Sequence, residues 1–209
     1  MSDKHKVRIR APQQRQIERV NIILDCALDI LQSKSIDELS LAEISEKTEI
    51  VLPSIYYYFA NKNALIGALA NRIHEHWIAK IELIHNSIPD CWTELIEIIV
   101  QRGAEYLNNN PSVMQLLLGV ASPVEARRAD MNANNNLAKQ ICVLLEKHYW
   151  GIDSEYLLPK AEIAVAILDG IWRYSYNVNE RIHEDVVEEA KQALICYLRT
   201  YLPQRLKKI

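Results

Sequence analysis

Apolar residues recur along this chain at intervals of three and four positions, the spacing that places them on one face of an α-helix. No alternation of apolar and polar residues extends beyond a few positions, and the chain contains only 5 glycines and 7 prolines. Strands and dense turns are therefore disfavoured, and the pattern predicts an all-α fold. A first helix is expected from residue 14 to about 33, with an apolar stripe formed by Ile17, Val20, Leu24, Ala27 and Leu31.

Two short helices separated by a tight turn are predicted between residues 39 and 65. Ser40 followed three residues later by Glu43 has the pattern of a capping box, in which the hydroxyl accepts from the Glu43 amide and the carboxylate bonds back. A helix should therefore cover 41 to about 48. Pro53 suits the first turn of a second helix, which should end near Phe59. These proportions are typical of a helix-turn-helix, whose second helix lies in the major groove of DNA.

Behind Lys62 the apolar pattern continues as one long helix over residues 63–85, which should connect two domains. We expect a three-helix N-terminal domain over residues 1–62 and a larger helical domain over residues 63–209. In the larger domain, caps and prolines predict helices over about 92–106, 110–119, 122–149, 160–176 and 184–201, with Pro159 as the start signal of the fourth. The last helix should have its apolar stripe at Val186, Ala190, Leu194, Tyr197 and Tyr201. Residues 130–136 are polar and rich in asparagine, which favours a bend or local fraying there.

The net charge of −3 does not suggest a nucleic-acid partner, but the charge is unevenly distributed. Residues 1–20 carry six basic against two acidic side chains, which gives +4, so the other 189 residues sum to −7. The positive charge thus lies next to the predicted helix-turn-helix. Residues 1–12 lack apolar periodicity and are interpreted either as an arm that follows DNA phosphates or as an ordinary solvated tail.

The sequence contains few residues that suggest a redox, disulfide or metal site. Four cysteines lie at least fifty residues apart, and we interpret them as buried free thiols, with a redox sensor as the alternative: Cys26, Cys91, Cys142 and Cys196. His74 and His76 are two positions apart and should point in different directions on a helix, so no metal site is expected. No cofactor is expected either.

Neither an enzyme nor a membrane protein is expected. The chain has no Gly-rich phosphate loop, no H-E-x-x-H and no G-x-S-x-G. No apolar segment approaches the ~20 residues that span a bilayer, and the N-terminus is polar. These observations predict a cytoplasmic, non-enzymatic protein.

The helix-turn-helix region resembles the DNA-binding region of the tetracycline-repressor (TetR) family. The resemblance rests on Leu41-x-x-Ile44-Ser45, Ile50, Ile55-Tyr56, Tyr58-Phe59 and Asn61-Lys62-x-x-Leu65. It implies that Tyr56 and Lys62 clamp backbone phosphates. It also implies that Leu52, Pro53, Ser54 and Tyr57 face bases, and Ser40 and Tyr58 complete the predicted DNA-contacting set.

Three positions depart from the family pattern. Glu49 stands where the family usually has glycine, and in a left-handed turn its side chain would cost about 1 kcal/mol. Val51 replaces a frequent serine or threonine, so one cap or phosphate contact is expected to be missing. Tyr58 replaces a frequent histidine.

The resemblance further implies that the larger domain binds a ligand and forms a homodimer through its last two helices. The helix over 160–176 is apolar on nearly every side, which agrees with coverage by a partner. A cavity between helices is predicted to be lined by Trp77, Trp92, Tyr106, Met114, Leu117 and Trp172, with a solid core as the alternative. Aromatic walls and the nearby Glu94, Glu97 and Asp169 favour an apolar or cationic compound over an anion.

The resulting hypothesis is a transcriptional repressor that binds double-stranded operator DNA as a dimer on a palindromic site. An unknown small-molecule effector would release it. The alternative is a helical ligand- or partner-binding module of the same fold that has lost DNA binding. The operator, the effector and the regulated genes are not predicted.

Overall fold

The computed structural model describes residues 12–82, 88–119 and 123–209, which form nine helices and no strand. The all-α prediction is confirmed. The helices are α1 (Pro12–Ile30), α2 (Leu41–Thr48), α3 (Leu52–Tyr58), α4 (Lys62–Glu82), α5 (Trp92–Asn108), α6 (Pro111–Leu118), α7 (Val124–His148), α8 (Ser154–Asn179) and α9 (Glu184–Leu198). The basic arm, the end of the predicted 63–85 helix and the predicted cap Ser122 lie outside the described residues.

The first three helices pack around one small core with the start of α4. Buried residues of this core include Ile23, Ala27, Ile44, Ile55 and Leu65. Ile17 was predicted to belong to the apolar stripe of α1, but its side chain is half exposed. Val20 is partly buried against the core, so the apolar stripe of α1 is covered from about Val20 onward.

The larger domain is organised around α7, which packs against both α4 and α8. The local fraying expected as one alternative at residues 130–136 does not occur, because α7 is a continuous helix there. Asp130 is buried in this stretch and accepts a hydrogen bond from Arg173 of α8, so a polar residue is satisfied without breaking the helix.

Two elements at the C-terminal end differ from the prediction. Helix α8 begins six residues before residue 160, because Asp153 caps it by accepting from the Tyr156 amide at 3.1 Å. Pro159 therefore lies inside the helix, where it removes one backbone donor but does not stop it. In α9 the buried face is Val187, Ala190, Leu194, Ile195 and Leu198, so the predicted stripe members Tyr197 and Tyr201 lie away from the centre of this face.

Candidate DNA-binding surface and ligand cavity

At the start of α2, one of the two hydrogen bonds of the predicted capping box is present. Ser40 Oγ accepts from the Glu43 amide at 3.1 Å, as predicted. The Glu43 carboxylate does not bond back; Lys34 Nζ donates to both of its oxygens at 2.9 Å. The side chain of Glu43 thus ties α2 to the end of α1.

The turn between α2 and α3 is held by side-chain hydrogen bonds to the backbone. Ser45 Oγ donates to the Ile50 carbonyl at 2.7 Å, and Thr48 Oγ1 donates to the Ile44 carbonyl at 2.6 Å. Glu49 has φ 59°, which confirms a left-handed residue at this position. A non-glycine residue here carries a steric cost of about 1 kcal/mol.

Helix α3 is anchored by one buried side chain and presents the rest outward. Ile55 is fully buried, whereas Tyr57 is 76% and Tyr56 is 51% exposed. Pro53 is exposed, and three further predicted DNA-contacting residues are partly buried: Leu52, Ser54 and Tyr58. Val51 at the N-cap forms no side-chain cap hydrogen bond, as its apolar side chain requires. In the first turn of α3, Pro53 has no backbone N–H, and the Ser54 amide donates to the Val51 carbonyl at 2.8 Å, so contacts with DNA at this end depend mainly on side chains.

Lys62 has a structural role that its sequence position did not indicate. Its Nζ donates to the carbonyl oxygens of Ile36 at 3.2 Å and Asp37 at 3.0 Å. These contacts fasten the loop between α1 and α2 to the start of α4. Two of the three ammonium hydrogens are thus used within the chain.

The described part of the N-terminal domain is acidic. Residues 12–62 carry five Lys and Arg against eight Asp and Glu, a net charge of −3. The surplus of positive charge near the helix-turn-helix therefore lies in the basic arm.

A cavity lies between α4, α5, α6, α7 and α8, and four of the six predicted ligand-binding residues line it: Trp77, Tyr106, Leu117 and Trp172. Trp77 stacks on Tyr106 with ring centroids 5.4 Å apart. The Trp172 ring lies against Gly103, where a Cβ atom would come within 2.5 Å of Cη2. Only glycine leaves this ring its present position.

The other two predicted ligand-binding residues do not line this cavity. Trp92 is fully buried, and its Nε1 donates to the Pro203 carbonyl at 2.9 Å. Met114 is also buried in the core. Glu94 and Glu97, expected nearby, are exposed on α5 and do not line the cavity.

One end of the cavity carries ionisable groups that lie far apart in the sequence. Asp130, Asp169 and His74 line it, and Arg173 pairs with both carboxylates. Arg173 Nη2 is 2.5 Å from Asp130 Oδ2, and Arg173 Nε is 2.8 Å from Asp169 Oδ2. His74 Nε2 lies 3.1 Å from Asp130 Oδ1.

Burial raises the pKa of the Asp169 carboxyl, and the negative charge of Asp130 raises it further, while Arg173 opposes both. Sequence reasoning missed Asp130 and Arg173. The one signal for Asp130 was the polar stretch of α7, which was interpreted as a bend.

The cavity is narrow in this conformation. The volume that the centre of a water-sized sphere can reach is about 60 Å³. Drug-sized ligands occupy clefts of about 300–1,000 Å³, so only a small compound fits without movement of the surrounding helices.

An apolar face on the outside of α8 has no cover within the described chain. Ile163, Tyr174 and Val178 are each more than half exposed, and their spacing places them on one side of the helix. Tyr197 of α9 and Tyr201, which follows the end of α9, pack edge to face with ring centroids 5.4 Å apart, and Lys160 Nζ of α8 lies within 6 Å of the Tyr201 ring. We call this the α8 outer face.

The cysteines are free thiols, but only one of the four is buried. Cys142 is buried, Cys26 and Cys91 are half-buried, and Cys196 is exposed. The interpretation that all four are buried is therefore wrong. Among the residues that the structure describes, no group of three or more potential ligands could hold a metal ion, and none of the described helices is long and apolar enough to cross a membrane.

Comparison with known families matches both domains. Residues 23–69 match the model described as bacterial regulatory proteins, tetR family, and residues 90–202 match that of the tetracyclin repressor-like C-terminal domain.

Two curated relatives match the N-terminal region. An uncharacterised HTH-type transcriptional regulator, YvdT of Bacillus subtilis (strain 168), is 33% identical over 73 residues, 35% of this chain and 38% of the relative. The class A tetracycline repressor protein from transposon 1721 of Escherichia coli is 30% identical over 66 residues, 30% of this chain and 31% of the relative. The chain thus aligns with less than two fifths of either relative.

Solved structures match the fold over most of the chain. A TetR-family transcriptional regulator from Streptomyces coelicolor has a TM-score of 0.71 at 20% identity and covers 88% of this chain and 99% of its own. A TetR regulator from Rhodococcus sp. RHA1 has a TM-score of 0.70 at 13% identity and covers 90% and 100%. FadR from Bacillus subtilis, solved with stearoyl-CoA, has a TM-score of 0.61 at 14% identity and covers 85% and 96%.

Proposed function

Because the chain belongs to the TetR family of bacterial regulatory proteins, we propose that it is a dimeric repressor that a small-molecule ligand releases from a palindromic operator. The observation that carries this proposal is the outward face of α3. A short helix that uses one buried side chain as its anchor and exposes two tyrosines has the geometry of a recognition helix in the major groove.

In the proposed complex, one group of side chains contacts DNA phosphates and another contacts bases. Tyr56 and the remaining Nζ hydrogen of Lys62 donate to phosphates and set the position of α3. The base-facing residues are Leu52, Pro53, Ser54 and Tyr57, and Ser40 and Tyr58 lie at the edges of the same surface.

A gel-shift experiment with DNA from upstream of the protein's own gene tests this function. Lys62→Ala should weaken binding to all sequences alike and flatten the dependence of affinity on salt by about 0.9 in log–log slope. Ser54→Ala or Tyr57→Ala should instead change which sequences bind best. Since Lys62 also fastens the α1–α2 loop, thermal unfolding of each variant must accompany the measurement.

Failure of the protein to retain any operator-length fragment at low salt would contradict the repressor. That result would favour the ligand- or partner-binding module as the function of this fold.

The α8 outer face supports a second copy of the chain as the partner of the larger domain. Three exposed apolar residues share one side of α8, and the Tyr197–Tyr201 pair lies near Lys160 in the N-terminal part of this helix. Exposed apolar surface of this kind marks an interaction site. A two-fold axis through this face joins α8 and α9 of both copies. It should place the two α3 helices about 34–36 Å apart, one turn of DNA.

Sedimentation tests this interface with a matched pair of substitutions. Tyr174→Asp places a charge in the α8 outer face and should shift the protein to monomer, with loss of operator binding. Val143→Asp is the control, because Val143 is an exposed apolar residue on α7 outside this face. A Tyr174→Asp variant that stays dimeric would place the interface elsewhere.

The cavity supports control by a ligand because α4 belongs to both domains. Leu65 and Leu69 of α4 lie in the buried core and α4 packs against α1, whereas His74 and Trp77 line the cavity. A ligand that widens the cavity therefore displaces a helix that packs against the N-terminal domain. Binding should be visible as a change in tryptophan fluorescence, since Trp77 and Trp172 line the cavity, and Trp77→Ala should weaken both binding and DNA release.

A further inference from the structure

The charged residues that line the cavity are all acidic. Asp130 and Asp169 face the cavity, and none of the described lining residues is lysine or arginine. Arg173 pairs with both carboxylates but does not itself line the cavity. A ligand therefore meets carboxylate oxygens rather than the guanidinium.

The balance of charge at this end of the cavity is negative. The carboxylates of Asp130 and Asp169 face the one guanidinium of Arg173, so these three side chains together have an excess of one negative charge. The Nε and Nη2 groups of Arg173 are each engaged by a carboxylate at 2.5–2.8 Å. An anionic ligand would have to approach two carboxylates and compete with them for Arg173, whereas a cation offsets the excess charge in a poorly solvated site.

The aromatic walls of the cavity also favour a positively charged ligand. Trp77, Tyr106 and Trp172 present aromatic rings, whose faces attract cations.

We propose that the effector of this cavity is a small organic monocation with an aromatic or branched apolar body. Its charged group lies against Asp130 and Asp169, and its body packs between Trp77, Tyr106 and Trp172. This inference rests on the proposed function, since it names the ligand class of the regulator's cavity.

Three probes of nearly the same shape but different charge separate the effect of ligand charge on binding from the effect of ligand size. Benzyltrimethylammonium is a cation, neopentylbenzene is its neutral isostere, and phenylmethanesulfonate is an anion of similar shape. Each is titrated into the full-length protein by tryptophan fluorescence and calorimetry. The cation is expected to bind at least tenfold more tightly than either of the others, and equal binding of the three or preference for the anion would overturn the proposal.

A matched pair of variants tests whether a carboxylate in the cavity is responsible for the preference for the cation. Asp169→Asn keeps an acceptor for Arg173 but removes the excess charge, so it should reduce the preference for the cation about tenfold. Glu97→Gln removes a carboxylate that is exposed on α5 outside the cavity, and it should leave the preference unchanged. Equal effects of the two substitutions would show that the general charge of the protein, not the cavity, selects the cation, and would overturn the proposal.

A gel-shift in parallel separates this inference from the proposed function. If the wild-type protein binds operator DNA but does not bind the cation selectively, the inference about the ligand is wrong and the proposed repressor function still stands. Selective binding of the cation by a protein that retains no DNA supports the inference and removes the repressor.

Discussion

Glu49 holds a backbone conformation, φ 59°, in which a side chain is sterically unfavourable. It also places a carboxylate at the C-terminal end of α2, where the helix dipole is negative. Glu49→Gly should therefore raise the free energy of unfolding by about 1 kcal/mol, measured by urea denaturation. Glu46→Gly, within α2, is the control and should lower stability by about the same amount; a loss of stability in both variants would contradict the strain at Glu49.

The four cysteines should differ in reactivity because the thiolate is the nucleophile. Burial raises the pKa of Cys142 to about 11, so at pH 7.5 almost none of it is ionised. A hydrogen bond from Thr93, whose Oγ1 lies 2.9 Å from the sulfur, lowers the pKa of Cys91. Iodoacetamide followed by peptide mass spectrometry should label Cys91 well before Cys142 in the native protein and both alike in denaturant, and native labelling of both at equal rates would contradict this order.

At the scale of helices, the approach of α8 to α5 depends on Gly103. An alanine there would place Cβ 2.5 Å from Cη2 of Trp172, so the ring has to move. Gly103→Ala should lower stability by about 1–3 kcal/mol and weaken probe binding in the cavity. In a Trp172→Phe background, which removes the clashing ring atoms, the same substitution should cost less, and an undiminished cost in this double-mutant cycle would place the strain elsewhere.

Periodicity predicted the helices well but not the faces that they bury. In α9 the predicted stripe began at Val186, whereas the buried face includes Val187, because the sequence pattern of one helix does not show which of its sides the neighbouring helices cover. The start of α8 was missed because Pro159 was interpreted as a start signal although Asp153 provides the cap. Contacts between residues that are distant in sequence gave no local signal. Asp130 and Arg173 are 43 residues apart, and nothing in the sequence near either residue indicates that they pair.

The helix-turn-helix was the most predictable part of the site because its residues are close in sequence. The cap Ser40 follows from a local sequence pattern, whereas the left-handed Glu49 and the uncapped Val51 were expected from the resemblance to the TetR family, and the structure has each of them. The contacts of Lys62 with the α1–α2 loop span 25 and 26 residues, and no local rule predicts them.

At the scale of the whole molecule, the described N-terminal domain is too acidic to attract DNA without the basic arm. Residues 1–11 carry four basic side chains and one acidic one, next to a domain with a net charge of −3. Deletion of these residues should weaken operator binding and flatten its salt dependence by about 0.9 in log–log slope for each phosphate that the arm neutralises. An arm of the same composition in scrambled order should restore the slope, whereas an unchanged slope after deletion would identify the arm as an ordinary solvated tail.

In the proposed release of DNA by a ligand, movement of α4 at the cavity has to be transmitted to the N-terminal domain. Arg72 of α4 provides a connection, since its Nη1 lies 2.7 Å from Asp25 Oδ1 and 3.4 Å from the Asn21 carbonyl, both in α1. Two residues further along α4, His74 lines the cavity. A displacement of α4 at the cavity therefore pulls on α1 through this ion pair.

The size of the coupling through Arg72 is limited by its exposure. Pairs of this kind contribute at most about 1 kcal/mol, and Asp25 is largely solvated. Arg72→Gln should therefore reduce the ratio of operator affinities without and with a saturating ligand by a factor of about two to five. Arg102→Gln, on the exposed side of α5, is the control. The ratio is measured by gel-shift with benzyltrimethylammonium, and equal ratios in the two variants and the wild type would show that α1 follows α4 without this ion pair.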